Sequence, residues 1–243
     1  MNKTLPFFAF FFAIPLAACS TEPDDTDLEV ATTESEADAL DAALPPGDFS
    51  DLELGARVVG PQGPEVEAAM SNPEGIFADI RSYVACPAGM DPCDPETAPK
   101  GTIYTYVHVL VPGGDNDASK GSGNGADNSH VEHAMAFRMI QRAHGFTGNA
   151  GYSKAEAMAA MGKMGDVVMT CDDGKLIWTL NSGDGGDQWA HKEPVTFYWQ
   201  STLPPAGPAE AYELHVDYTK AGAPGPFPAP DAAASNACTK VPA

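Results

Sequence analysis

Apolar and polar residues alternate along much of this chain, and the alternation predicts strands. The clearest run is residues 102–111, Thr-Ile-Tyr-Thr-Tyr-Val-His-Val-Leu-Val, dense in β-branched and aromatic side chains and ended by Pro112-Gly113-Gly114. Residues 77–85, 166–171, 175–180, 195–201 and 211–218 predict further strands. Asp172-Asp173-Gly174, between the runs 166–171 and 175–180, has the composition of a tight hairpin turn. Leu176, Trp178 and Leu180 share one face of their strand, while Phe197 and Trp199 oppose Tyr198 on theirs. Residues 130–140 carry two patterns. Val131, His133, Met135, Phe137 and Met139 alternate as in a strand, whereas Val131, Met135 and Arg138 suit a helix opened by Ser129. The strand is preferred because the flanking segments are β in character. Ser153-Lys154-Ala155-Glu156 is a capping box ahead of an Ala/Met-rich run that stops at Gly162, so one short helix is expected there. A helical turn is expected at residues 65–70, a polar surface loop at 115–128, and irregular chain after about residue 220. Six or seven short strands and one helix predict a mainly β domain, an antiparallel β-sandwich of immunoglobulin-like architecture.

The first 54 residues follow other rules. Lys3 precedes an apolar run from Leu5 to Leu16, too short for the roughly 20 residues of a membrane-spanning helix and suited to the core of an export signal. Leu16-Ala17-Ala18-Cys19 follows. This sequence resembles the lipobox of bacterial lipoproteins, which implies removal of residues 1–18 and lipidation of Cys19. Ser20, in place of Asp, is similar to the pattern routed to the outer membrane. The expected partner is then the membrane, reached through the lipid and not by spanning it. Residues 20–54 hold 12 acidic side chains and neither Lys nor Arg. Such a stretch repels itself and has little apolar surface to bury, so residues 19–54 are expected to be a disordered acidic tether, about 30 Å or more in reach. Residues 55–243 then form a single domain, long enough for a core of its own.

The formal net charge is −21, and residues 55–243 still carry 22 acidic against 12 basic side chains. No basic patch is available to neutralise phosphates, which argues against nucleic acid as a partner. Besides Cys19 the chain has four cysteines, Cys86, Cys93, Cys171 and Cys238. An even number in an exported protein predicts two disulfides. Of the three pairings, Cys86–Cys93 with Cys171–Cys238 is favoured, the second pinning the C-terminal tail.

Three groups of residues bear on chemistry. His130, Glu132 and His133, with His144 further along, offer ligands that zinc accepts, but the spacing is not that of a zinc protease. Asp184 and Asp187, in an Asn/Ser/Gly/Asp run, and Asp115 and Asp117 offer oxygens of the kind calcium takes, without the spacing of an EF-hand. Calcium is therefore the better cofactor candidate and zinc the poorer. The three tryptophans fall within residues 178–199. Trp189, between Asp187 and His191, is expected to be the exposed one, and with Tyr198 it is the candidate for stacking on a glycan. No nucleophile elbow, phosphate-binding loop or dinucleotide fingerprint occurs. Residues 193–202 with Pro204-Pro205 resemble segments of β-sandwich proteins exported by bacteria. The expectation is an envelope-anchored lipoprotein that presents a non-catalytic β-sandwich to a protein or glycan partner. The alternative is a metal-dependent envelope hydrolase built on the histidines.

Overall fold

The computed structural model describes residues 43–61, 65–73, 75–112, 134–163, 165–181, 189, 193–216 and 219–238. Twelve strands and one helix are present among them: β1 (Gly47–Asp48), β2 (Leu54–Arg57), β3 (Val66–Asn72), β4 (Gly75–Pro87), β5 (Tyr104–Pro112), β6 (Ala134–Met139), β7 (Phe146–Tyr152), α1 (Lys154–Met161), β8 (Asp166–Asp172), β9 (Lys175–Asn181), β10 (Val195–Ser201), β11 (Pro205–Val216) and β12 (Thr219–Pro228). The fold is mainly β, as the alternation predicts. Eleven strands form one path, β1-β7-β10-β5-β4-β3-β12-β11-β6-β9-β8, with β2 paired to β4 end to end with β3.

Where two antiparallel sheets are expected, one mixed sheet curls into a half-barrel, and its two halves, or leaves, face each other across the core. Register decides what points between them. Ser82 lies opposite His108, Phe197 opposite His108, and Trp199 opposite Tyr106. Ile80, Ser82, Val84, Tyr106, His108, Leu110, Phe197 and Trp199 therefore line the inner face of one leaf. Phe137, Trp178, Tyr212, Leu214 and Phe227 line the other, and all of these side chains are buried. Rings meet across the gap: Phe137 is 5.1 Å from Phe197, Trp178 6.0 Å from Phe197, and Trp199 5.8 Å from Phe227. Tilted and edge-on aromatic pairs at such spacings add to the stabilisation from burial alone.

The leaves join at a narrow seam. β3 and β12 share one register pair, Ser71 with Gly222, reinforced by Asn72 Nδ2 donating to Thr219 Oγ1 (2.8 Å) and Lys220 O (2.9 Å). Beyond Gly222 come Pro224, Pro226 and Pro228. They lack N–H groups and recur with the strand period of two, so the missing donors fall along one edge of β12. The other edge stays paired to β11 from Pro228 opposite Pro205 to Thr219 opposite Val216.

The open side is closed by the chain entering the domain. Leu44 N donates to Met169 O of β8 at 3.0 Å, and three residues further on β1 runs parallel to β7, with Gly47 opposite Gly151 and Asp48 opposite Tyr152. Two side chains tie β7 to the opposite leaf independently: Tyr152 Oη accepts from Val167 N (3.3 Å), and Trp178 Nε1 donates to Gly151 O (3.0 Å).

Several expectations are corrected. Residues 219–228 form β12, one of the longest strands, where irregular chain is expected after residue 220; pairing with β11 overrides a Pro/Gly composition that is poor for strands. Residues 66–72 are a strand and not a helical turn, because β4 offers them an edge. The last part of the acidic stretch, residues 43–54, belongs to the fold and not to a tether. Residues 134–139 are a strand, and β7 has no clear sequence signature. Both favoured disulfides form: Cys86–Cys93 with a Cα separation of 5.7 Å, and Cys171–Cys238 with 5.5 Å. In the predicted hairpin, Asp173 (φ 46°) and Gly174 (φ 78°) both take positive φ, as a two-residue turn between twisted strands requires. Ser153 caps α1, its Oγ accepting from Glu156 N at 3.3 Å. Glu156 does not return to Ser153; its Oε2 accepts from Thr196 N at 2.8 Å and ties the helix to β10.

Candidate functional site

The most unusual chemistry lies between the leaves. His108 and Ser82 are 0% exposed, and His108 Nδ1 is 2.9 Å from Ser82 Oγ. The ring packs 4.1 Å from Tyr212 and 5.7 Å from Phe137. Nε2 is buried with no hydrogen-bond partner among the described residues. Gly225 lies over the pair: a β-carbon there would come 2.8 Å from Tyr212 Cε2 and 3.5 Å from Ser82 Oγ. Tyr212 is itself fixed, its hydroxyl donating to Pro226 O (3.1 Å) and accepting from Trp199 Nε1 (3.4 Å). Burial without a charged partner pushes the His108 pKa down from 6.5 to about 3, so the ring is neutral at any ordinary pH. A Ser–His pair at this distance has the spacing of a nucleophile and its base. Here Tyr212 and Phe137 pack on the imidazole and both residues are fully buried, so the pair is a polar island in an apolar interior, bonded across β4 and β5.

The pair escapes notice in the sequence because His108 sits inside the strongest strand signal. One clue exists: Tyr104, Tyr106, His108 and Leu110 share a parity, so if that face is buried, so is the histidine.

Of the predicted ligand and metal residues, Trp189, Tyr198 and His144 lie among the described residues. Trp189, expected to be exposed, is 3% exposed. Its ring meets Phe197 edge-on at 6.3 Å, and Nε1 donates to Glu193 O at 2.7 Å. It closes one end of the core, where a large apolar ring stabilises more than it would in water. Tyr198 is 1% exposed, on the outer face of β10, covered by Phe49 (6.1 Å between rings) and Gly47. Burial, with the charges of Asp48 and Asp51, pushes its hydroxyl up to about 12. Neither aromatic offers a face to a sugar. His144 is half-buried at the β6–β7 connection. His130, His133, Asp184 and Asp187 lie outside the described residues, as does Cys19. Among the described residues, no group of three or more His, Cys, Asp or Glu side chains is placed to hold a metal ion.

Strand ends place the connections. β5 ends at Pro112 beside the start of β10 at Val195, and β9 ends at Asn181 close to the start of β6 at Ala134. The two Asp/Asn/Gly-rich connections thus depart from and return to the same end of the domain. Both disulfides secure the opposite end, at the last residues of β4 and β8. On the outer face of β11, burial raises the Glu213 carboxyl, but hydrogen bonds from His215 Nε2 and Lys220 Nζ (3.2 Å each) outweigh it and hold the group below the usual range. Comparison with protein families, curated proteins and solved structures returns no match.

Proposed function

We propose that this chain is an envelope-anchored lipoprotein, lipidated at Cys19, that presents its β-sandwich as a non-catalytic binding module. The observation that carries the reading is the use of the cysteines. Four of the five pair as Cys86–Cys93 and Cys171–Cys238, and the one left over is the Cys of the lipobox-like sequence. Structural disulfides belong to oxidising compartments outside the cytoplasm, and a lipobox requires its Cys to be unpaired. The interior supports a module over an enzyme: its Ser–His pair is sealed, and Trp189 and Tyr198 serve packing. A protein or glycan partner would be met at the end that bears the two polar connections, away from the disulfides.

The test is to express the full chain in a bacterium with radiolabelled palmitate and to fractionate the envelope. Label on the wild type, loss of label in Cys19→Ser, and release of that variant from the outer-membrane fraction would support the reading. Equal membrane retention of an unlabelled Cys19→Ser variant would overturn it. Thermal unfolding with zinc, calcium or a chelator addresses the module: a large rise with zinc, lost on mutating His130 and His133, would move the assignment to a metal-dependent hydrolase.

A further inference from the structure

The segment that closes the sheet is a strand seated between β7 and β8. Leu44 packs against the core. Gly47 lies so close to the Tyr198 hydroxyl and to Gly151 that a β-carbon on either glycine would overlap its neighbour. Asp48 Oδ1 accepts from Ser50 N (3.1 Å) and Lys154 N (3.4 Å), and Phe49 covers Tyr198. These are the features of a shaped, sequence-specific site for an extended peptide, with main-chain pairing for affinity and pockets for selectivity. The segment itself is held by few main-chain contacts: one hydrogen bond to β8 and two register pairs with β7. The walls of the slot are tied to each other by Tyr152 Oη to Val167 N and by Trp178 Nε1 to Gly151 O, neither of which involves the segment. A slot clasped in this way stays formed when the strand leaves, so rebinding carries little reorganisation cost.

We propose that residues 44–49 are an exchangeable donor strand, and that the slot between β7 and β8 accepts the same segment from a second copy of this chain. Identical contacts re-form in the exchanged pair, the condition under which swapping an element between copies is cheap. The hinge is available. Residues 49–51 are a single 3-10 turn between extended residues, Asp48 (ψ 131°) and Leu52 (ψ 126°). Unwinding residues 50–53 gives a span of about 14 Å between strap and body.

Leu44 and Met169 are Cα partners and report the exchange. One tagged copy carries Leu44→Cys, a second carries Met169→Cys, and the two are mixed at rising concentration a few degrees below the melting temperature. The expected result is a mixed disulfide-linked dimer that increases with concentration and disappears when Gly47→Val is added to the first copy. The double variant Leu44→Cys/Met169→Cys at low concentration serves as the reference, and should close within one chain. No mixed dimer beside efficient closure of the double variant would overturn exchange. A mixed dimer indifferent to Gly47→Val would also overturn it, as collision at the surface. Failure of the double variant to close would remove the bridge on which the inference stands.

Discussion

Acid should weaken this fold through His108 before it reaches the carboxylates. In the unfolded chain the imidazole titrates near 6.5; between the leaves, burial against Tyr212 and Phe137 lowers this to about 3. The folded state therefore refuses a proton that the unfolded state accepts. Stability is fully present above pH 6.5 and is lost as the pH falls below it, by about 1.4 kcal/mol per pH unit. Between pH 7 and pH 5 the loss is about 2 kcal/mol, which for a domain of this size lowers the melting temperature by roughly 4–8 °C. Asp48 and Glu213 have lowered carboxyl pKa values, so their stabilisation is lost only as the pH falls through and below the ordinary values of 3.8 and 4.5, under this window. The assay is urea or thermal unfolding at pH 7, 6 and 5 for the wild type and for Ser82→Ala/His108→Phe. The double variant replaces both hydrogen-bonding partners by apolar groups, which avoids leaving Ser82 Oγ unpaired. The wild type should lose stability over this range, and the double variant should lose about 2 kcal/mol less. Equal losses would refute the reasoning, since the pH dependence would then come from elsewhere.

Gly225→Ala should destabilise by about 1–3 kcal/mol in urea unfolding, because its β-carbon meets a Tyr212 ring that cannot move aside; an unchanged midpoint would show that the seam yields. Removing the Cys171–Cys238 disulfide, which spans 67 residues, should cost about 4 kcal/mol, against about 2 kcal/mol for Cys86–Cys93, which spans 7. Paired Cys→Ser variants compared by chemical unfolding would show the order, and a reversed order would contradict it.

The sequence by itself determined the class of the fold and the pieces that depend on neighbours in the chain. The apolar/polar period of two marks β8 and β9, which bury one face, while density in β-branched and aromatic residues marks β5 and β10, which are buried on both. The Asp173-Gly174 turn and the Ser153 cap were legible because turn and cap chemistry lies within a few residues. The number of disulfides followed from the cysteine count, whereas the pairing, one favoured of three, is decided by which strand ends the fold brings together. Tertiary structure alone decided the rest. β12 and β7 are poor strands by composition and exist because β11 and β10 lend them hydrogen bonds. Trp189 is in a polar loop by sequence, yet it folds back to cap the core. Residues 43–54 look like acidic tether, and only the open slot between β7 and β8 gives them a place. The same is true of His108, a polar residue in an apolar strand until the second leaf arrives and excludes water from it. Each is a contact between residues far apart in the chain, and no local pattern encodes which surface will cover another.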